Sequence, residues 1–138
     1  MYVGSPKDVV PLIQKYAKHK QERFGCVFLN AVHDVIKVKV FFIGSDSRCM
    51  VTPRIIFWDA CKKNVNSMIV FHNHPSGNPN PSAEDFNLTK GLVKAGDVLG
   101  IEILDHVIVS RTGYYSFLEH NNLTHEELRE EVAQWTKI

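Results

Sequence analysis

The stretch that decides the fold is SMIVFHNHPSGNPNPSAED, residues 67–85. Its start, SMIVFH (67–72), is a short apolar run that reads as a buried strand. Three of the chain's six prolines (Pro75, Pro79, Pro81) and Gly77 then fall within PSGNPNP, which continues neither helix nor strand and makes a stiff, exposed loop. Ser82 opens a helix whose expected inner face is Leu88, Leu92, Ala95 and Leu99. Side chains at i and i+2 of a strand point the same way, so His72 and His74 present two imidazoles to one point, with Asp85 in the first turn of the following helix. Two imidazoles and a carboxylate are a ligand set suited to zinc, with an open fourth position for a water that ionises near neutral pH and attacks an acyl carbon. Plainer readings of the same residues stand beside this one. Ser82-x-x-Asp85 also reads as a capping box, and an H-x-H pair also occurs as structural or surface histidine.

Working outward, Ser5-Pro6 begins a helix with Asp8 beside its positive end, and Val9, Leu12, Ile13 and Tyr16 recur at helical spacing from residue 6 to about 19. FGCVFLN (24–30) is an apolar strand, NAVHD (30–34) a hairpin turn, and Ile36, Val38, Val40 and Phe42 alternate with lysines in a half-exposed strand. Pro53 starts a helix, PRIIFWDACKKN (53–64). IEILDHVIVS (101–110) and YYSFL (114–118) pair around an RTG turn, and Thr124 with Glu127 caps a final helix through roughly Trp135. The order α-β-β-α-β-α-β-β-α predicts a mixed sheet with helices packed against it.

The chain's 138 residues make one domain, and at that size folding buries roughly 70% of the unfolded chain's surface. With 44% hydrophobic residues this excludes a disordered chain and a small disulfide scaffold. Sixteen Lys+Arg against 15 Asp+Glu leave a net charge of +1, so no strong basic field marks a nucleic-acid or membrane binder. Cys26, Cys49 and Cys61 are too few and too scattered for a disulfide framework and are expected as buried reduced thiols. The N-terminus lacks the order of a signal peptide and no apolar run approaches the ~20 residues needed to span a bilayer, so a cytoplasmic location is expected. A zincin reading of His125-Glu126 fails because Arg129 stands where the second histidine must be.

The spacing H-x-H-x7-S-x2-D from His72 to Asp85 matches the JAMM signature of the JAB/MPN metalloprotease fold. HNHPSGNPNPSAED, followed by ILDHVIV and YYSFLE, strongly resembles the JAB-type domain of the bacterial RadC family. Upstream, VTPRIIF resembles that family's V-x-P-R-E-I-F segment, with Ile55 in place of its Glu. The resemblance runs from about Pro6 to Glu119 and implies one α/β domain over 1–138: a single mixed-sheet JAB/MPN (JAMM) domain with helices packed against a curved β-sheet, a core over about 6–119 and a C-terminal helix over about 124–136.

It also implies one Zn2+ per chain, held by His72, His74 and Asp85, and a glutamate acting as general base on the zinc-bound water. Glu22 occupies the family's position for that base; on sequence alone it also reads as a solvated member of the charged run KHKQER. Ser82 would donate a hydrogen bond to the oxyanion of a tetrahedral intermediate, its lone pairs remaining free to cap the helix. Asp105 and His106 match the family too, as partners of a ligand imidazole or as a strand-end hydrogen bond serving the fold.

Three functions follow. The first is a zinc metallopeptidase or isopeptidase acting on a peptide or protein. The second is the DNA-repair accessory role attached to the RadC name, for which nucleic acid is an unexpected partner of this domain alone. The third is a non-catalytic scaffold, against which the complete ligand set argues. Oligomeric state is not legible.

Overall fold

A computed structural model describes residues 1–44 and 50–123. The expected C-terminal helix (124–136) and Cys49 lie outside the described residues. The elements follow the order read from the sequence: α1 (Pro6–Ile13) running into a 3-10 turn (Gln14–Lys18), β1 (Arg23–Leu29), β2 (Val35–Ile43), α2 (Pro53–Lys62), β3 (Ser67–Asn73), α3 (Ala83–Leu99), β4 (Glu102–Ser110) and β5 (Gly113–Ser116). The first helix stops short of residue 19. Pro11 withdraws one N–H from its ladder, and Ile13 (φ −117°, ψ −8°) leaves helical geometry, so the chain tightens into the 3-10 turn.

The five strands form one mixed sheet in the order β2-β1-β3-β4-β5, antiparallel except for the parallel pair β3–β4. Alternation along the strands sorts the core into two layers. Phe24, Cys26, Phe28, Met68, Val70, Ile103 and Ile108 pack with Ile56, Phe57 and Ala60 of α2 and Leu92 and Val93 of α3. On the other face Val27, Leu29, Ile69, Phe71, Val107 and Val109 pack with Val9, Ile13 and Ala17. Each fully buried Phe or Ile contributes on the order of 2 kcal/mol by burial. Two expectations need correction. The inner stripe of α3 is Thr89, Leu92, Val93 and Gly96, one position round from the expected face, and Leu99 is exposed. Gly96 sets that rotation, because the Ile101 carbonyl passes within 2.2 Å of where a Cβ would stand. Of the thiols, Cys26 is buried but Cys61 is exposed, on the outer side of α2.

The topology decides where a site can form. Parallel pairing of β3 and β4 requires a crossover, supplied by α3. The crossover helix runs back along the sheet, so its N-terminus stands at the C-terminal end of β3. Strand β1 is antiparallel to β3, with Phe24 opposite His72, which brings the residues just before β1 to the same end. Among the described residues no helix is long and apolar enough to cross a membrane.

Candidate metal centre

At that end of the sheet the structure brings together His72 and His74 from β3 and its exit, and Asp85 from α3, with one ligand atom of each within 4.8 Å of the others. His72 continues the face of Met68 and Val70 toward α3 and is buried between strand and helix, its ring stacked 5.9 Å from that of Phe24. The two Nε2 atoms lie 2.9 Å apart, His72 Nε2 lies 3.3 Å from Asp85 Oδ1, and His74 Nε2 lies 3.2 Å from Asp85 Oδ2.

The surrounding hydrogen bonds decide where the imidazole protons are. Thr89 Oγ1 donates its one hydrogen to the Asp85 carbonyl (2.7 Å), because a carbonyl can only accept. Its contact with His106 Nδ1 (2.6 Å) is therefore donated by His106. His106 is buried and uncharged: burial first, and then the charge His72 carries whenever it is protonated, push its pKa well below the ordinary histidine value. Its Nε2 is then a bare lone pair, which accepts from His72 Nδ1–H at 2.7 Å. His74 Nδ1 likewise donates to the Asn78 carbonyl, 2.9 Å away. With their Nδ1 hydrogens so committed, the two imidazoles in their neutral form turn unprotonated Nε2 atoms toward each other and toward a carboxylate. Three acceptors converging with no donor among them need a cation, and two imidazoles with one carboxylate fit a metal ion of zinc's preferences. Protons on the Nε2 atoms fill the same need, because an imidazole protonated there donates to Asp85. Burial alone would raise the Asp85 carboxyl, but hydrogen bonds from the two imidazoles and from the Ser82 backbone hold it well below the usual carboxylate range. His74 is raised despite its burial, by Asp85 and the Asn78 carbonyl.

The flanking residues fall where the topology requires. Glu22 stands immediately before β1, half-buried, and its carboxyl interacts with His72, His74, Asp85 and Glu84. Burial raises its pKa, the two imidazoles pull it back, and the two carboxylates push it up further. Ser82 caps α3: its Oγ accepts from Asp85 N (3.1 Å) while its own N–H donates to Asp85 Oδ2 (2.9 Å). Its hydroxyl hydrogen has no acceptor among the described residues, so capping leaves a donor at the mouth of the site. Asp105 and His106, adjacent in sequence, divide the two readings between them. His106 holds His72, whereas Asp105 accepts from His106 N, Leu118 N and Ser116 Oγ and joins β4 to β5.

Two contributors escaped the sequence reading. Thr89 stands four residues after Asp85, on the same helix face, and that spacing was a usable signal. Asn73, between the histidines, points to the opposite side of the sheet and carries no such signal.

The RadC-like JAB domain family model matches residues 3–123. A UPF0758 protein of Alkaliphilus metalliredigens is 44% identical over 118 residues, covering 85% of this chain and 51% of the relative. One from Clostridium novyi is 43% identical over 122 residues (88% and 54%), and one from Listeria monocytogenes 42% over 118 (85% and 53%). The chain spans about half the length of the curated relatives it matches.

Proposed function

The chain belongs to the RadC-like JAB domain family, and from that premise we propose that it is a zinc-dependent hydrolase of peptide or isopeptide bonds, with one zinc held by His72, His74 and Asp85. The observation that carries this reading is the convergence of two imidazole Nε2 atoms and a carboxylate, the imidazoles aimed through their Nδ1 atoms and the carboxylate by the Ser82 N–H. Zinc bound there supplies Lewis acidity and a water acidic enough to ionise near neutral pH. Glu22 would be the residue that accepts a proton from water at the site and returns it to the leaving amine. Its raised pKa suits a group that must accept and release a proton in one cycle. Ser82 donates its free hydroxyl hydrogen to the oxyanion while its lone pair goes on capping α3. The free thiols of Cys26 and Cys61 fit a reducing, cytoplasmic setting.

Elemental analysis of the purified protein and of Asp85→Ala tests the metal. About one zinc per chain, lost in the variant, is expected. No metal after zinc is added back overturns the hydrolase reading and leaves a protein-binding scaffold. With metal established, Glu22→Gln should keep its zinc and lose about 10²–10⁴-fold in turnover of a fluorogenic peptide library. An unchanged rate removes Glu22 from the mechanism.

A further inference from the structure

We propose that Asn73 is the positioning residue for Glu22: through one buried carboxamide it ties the segment that carries the general base to the strand that carries the metal ligands. The proposal rests on the reading of Glu22 as base.

Asn73 lies between the two histidine ligands, yet its side chain projects from the opposite face of β3 and is wholly buried. Its hydrogen-bonding groups are all spent on one short stretch of chain. Oδ1 accepts from Arg23 N (2.6 Å), and Nδ2 donates to Gln21 O (3.1 Å) and His19 O (3.3 Å). Residues 19–22 belong to no helix or strand, since the 3-10 turn ends at Lys18 and β1 begins at Arg23. The β1–β3 ladder itself ends at the pair Phe24–His72. One residue beyond, the carboxamide takes over the ladder's work and gives the Arg23 N–H a side-chain acceptor in place of a backbone one. Glu22 is thereby held on both flanks, through the carbonyl before it and the N–H after it, while its own carbonyl accepts from Gly44 N at 2.8 Å.

A side chain needed only to fill this space would be apolar, because burying an amide costs free energy that only satisfied hydrogen bonds return. The three bonds made here all serve the segment around Glu22. Because the same residue separates His72 from His74, any displacement of the end of β3 carries ligands and base together, and the spacing between carboxylate and metal site is preserved. Displacing a catalytic group by about 1 Å costs on the order of 10²-fold in rate.

The test needs no substrate. With the Glu22 side-chain carboxyl labelled with carbon-13, zinc added to the metal-free protein should shift its resonance. In Asn73→Asp the acceptor for Arg23 N–H is kept and both donors are lost; in Asn73→Ala all three bonds are lost. Both variants should still bind about one zinc per chain, but the Glu22 shift should collapse, and the Arg23 amide of Asn73→Ala should exchange with solvent at least about tenfold faster. A Glu22 shift of wild-type size in both zinc-loaded variants overturns the proposal. Absence of any shift in the wild type removes Glu22 from the site instead, which separates the two failures. Should neither variant fold, the wild type still decides: slow exchange of the Asn73 Nδ2 protons and the Arg23 amide is expected, and rapid exchange of both overturns the anchor. Once a turned-over peptide is in hand, Asn73→Ala should lower kcat about 10²-fold in the wild-type background and cost nothing further in the Glu22→Gln background. An equal loss in both backgrounds would mean a general structural role.

Discussion

His72 and His74 stand two residues apart and offer the same atom to the same point, but they are aimed by different means. His72 is 4% exposed, and its ring is set by a side-chain relay drawn from two other elements: His106 on β4, 34 residues away, and Thr89 on α3. His74 is partly buried and is set by the carbonyl of Asn78, four residues on in the same loop. The buried ligand depends on side chains that substitution can remove. The loop ligand depends on backbone shape, which most substitutions leave alone. Metal affinity should therefore be far more sensitive to changes behind His72 than to changes around His74.

The largest effect should come from His106→Leu. The substitution deletes the acceptor for His72 Nδ1–H and leaves a buried donor unpaired, so His72 is free to turn or to move its proton to Nε2, where it blocks the metal. Removing such a partner of a metal ligand costs about 10–100-fold in affinity, and His106→Leu should lie at the upper end by competition with a chromophoric chelator. Wild-type affinity would show that the relay does not aim the ligand.

Thr89→Val comes next. The shape is kept, but His106 Nδ1–H loses its acceptor, and the tautomer that suits His72 loses its support. About a tenfold loss is expected, with Thr89→Ser restoring affinity because a hydroxyl again accepts from His106 and donates to the Asp85 carbonyl. Equal losses in both variants would point to packing and away from the relay.

On the loop side, the way to disturb His74 is through the backbone. Gly77 has φ +90°, its N–H donates to the His74 carbonyl (3.2 Å), and its own carbonyl accepts from Thr112 Oγ1 (2.6 Å). Gly77→Ala places a side chain where φ disfavours it, at about 1 kcal/mol. That strain is shared with a loop already stiffened by prolines, so only a few-fold loss of metal affinity is expected by the same chelator assay. A loss as large as that of His106→Leu would erase the distinction between the two ligands.

The same contrast explains what the sequence disclosed. SMIVFH, the paired histidines, the proline loop and Ser82-x-x-Asp85 are local patterns, and the strand, loop and helix stand where those patterns put them. Ser82 and Asp85 form the capping box that four adjacent residues can specify. His106 was flagged by its motif, but its choice of His72 over a strand-end role depends on the β3–β4 register. Thr89 is hidden because Leu88 and Leu99 draw the expected stripe one position away from the true one, which is set by the close approach of Ile101 to Gly96. Asn73 was silent for a more general reason. Its partners are backbone groups about 50 residues away, and backbone groups leave no letter to read.

The smallest effect on metal affinity, and the sharpest control, should come from Asp105→Asn. Asp105 adjoins His106 on β4 and is as deeply buried, yet it touches no ligand, so its substitution should leave zinc affinity unchanged. What should change is stability. Burial raises the Asp105 carboxyl from 3.8 to about 6 in spite of the hydrogen bonds it accepts from Ser116, Leu118 and His106. The folded protein therefore binds this proton more tightly than the unfolded chain does. Between about pH 4 and pH 6 the folded state carries more of it, so stability is greatest at the acid end of that window and falls as pH rises through about 6. Above it, the ionised carboxylate costs at most about 3 kcal/mol, because a difference of about 2 in pKa separates the two states. Asparagine keeps an oxygen for the His106 and Leu118 N–H groups, which both bond Oδ1, and the Ser116 hydroxyl need only turn to accept from its amide. Urea unfolding of the metal-free proteins should find Asp105→Asn more stable than wild type at pH 7, by about 1–3 kcal/mol, with the gap closing toward pH 4. A variant less stable at pH 7, or one that loses tenfold in zinc affinity, would join Asp105 to the relay and place both neighbours on the same side of the comparison.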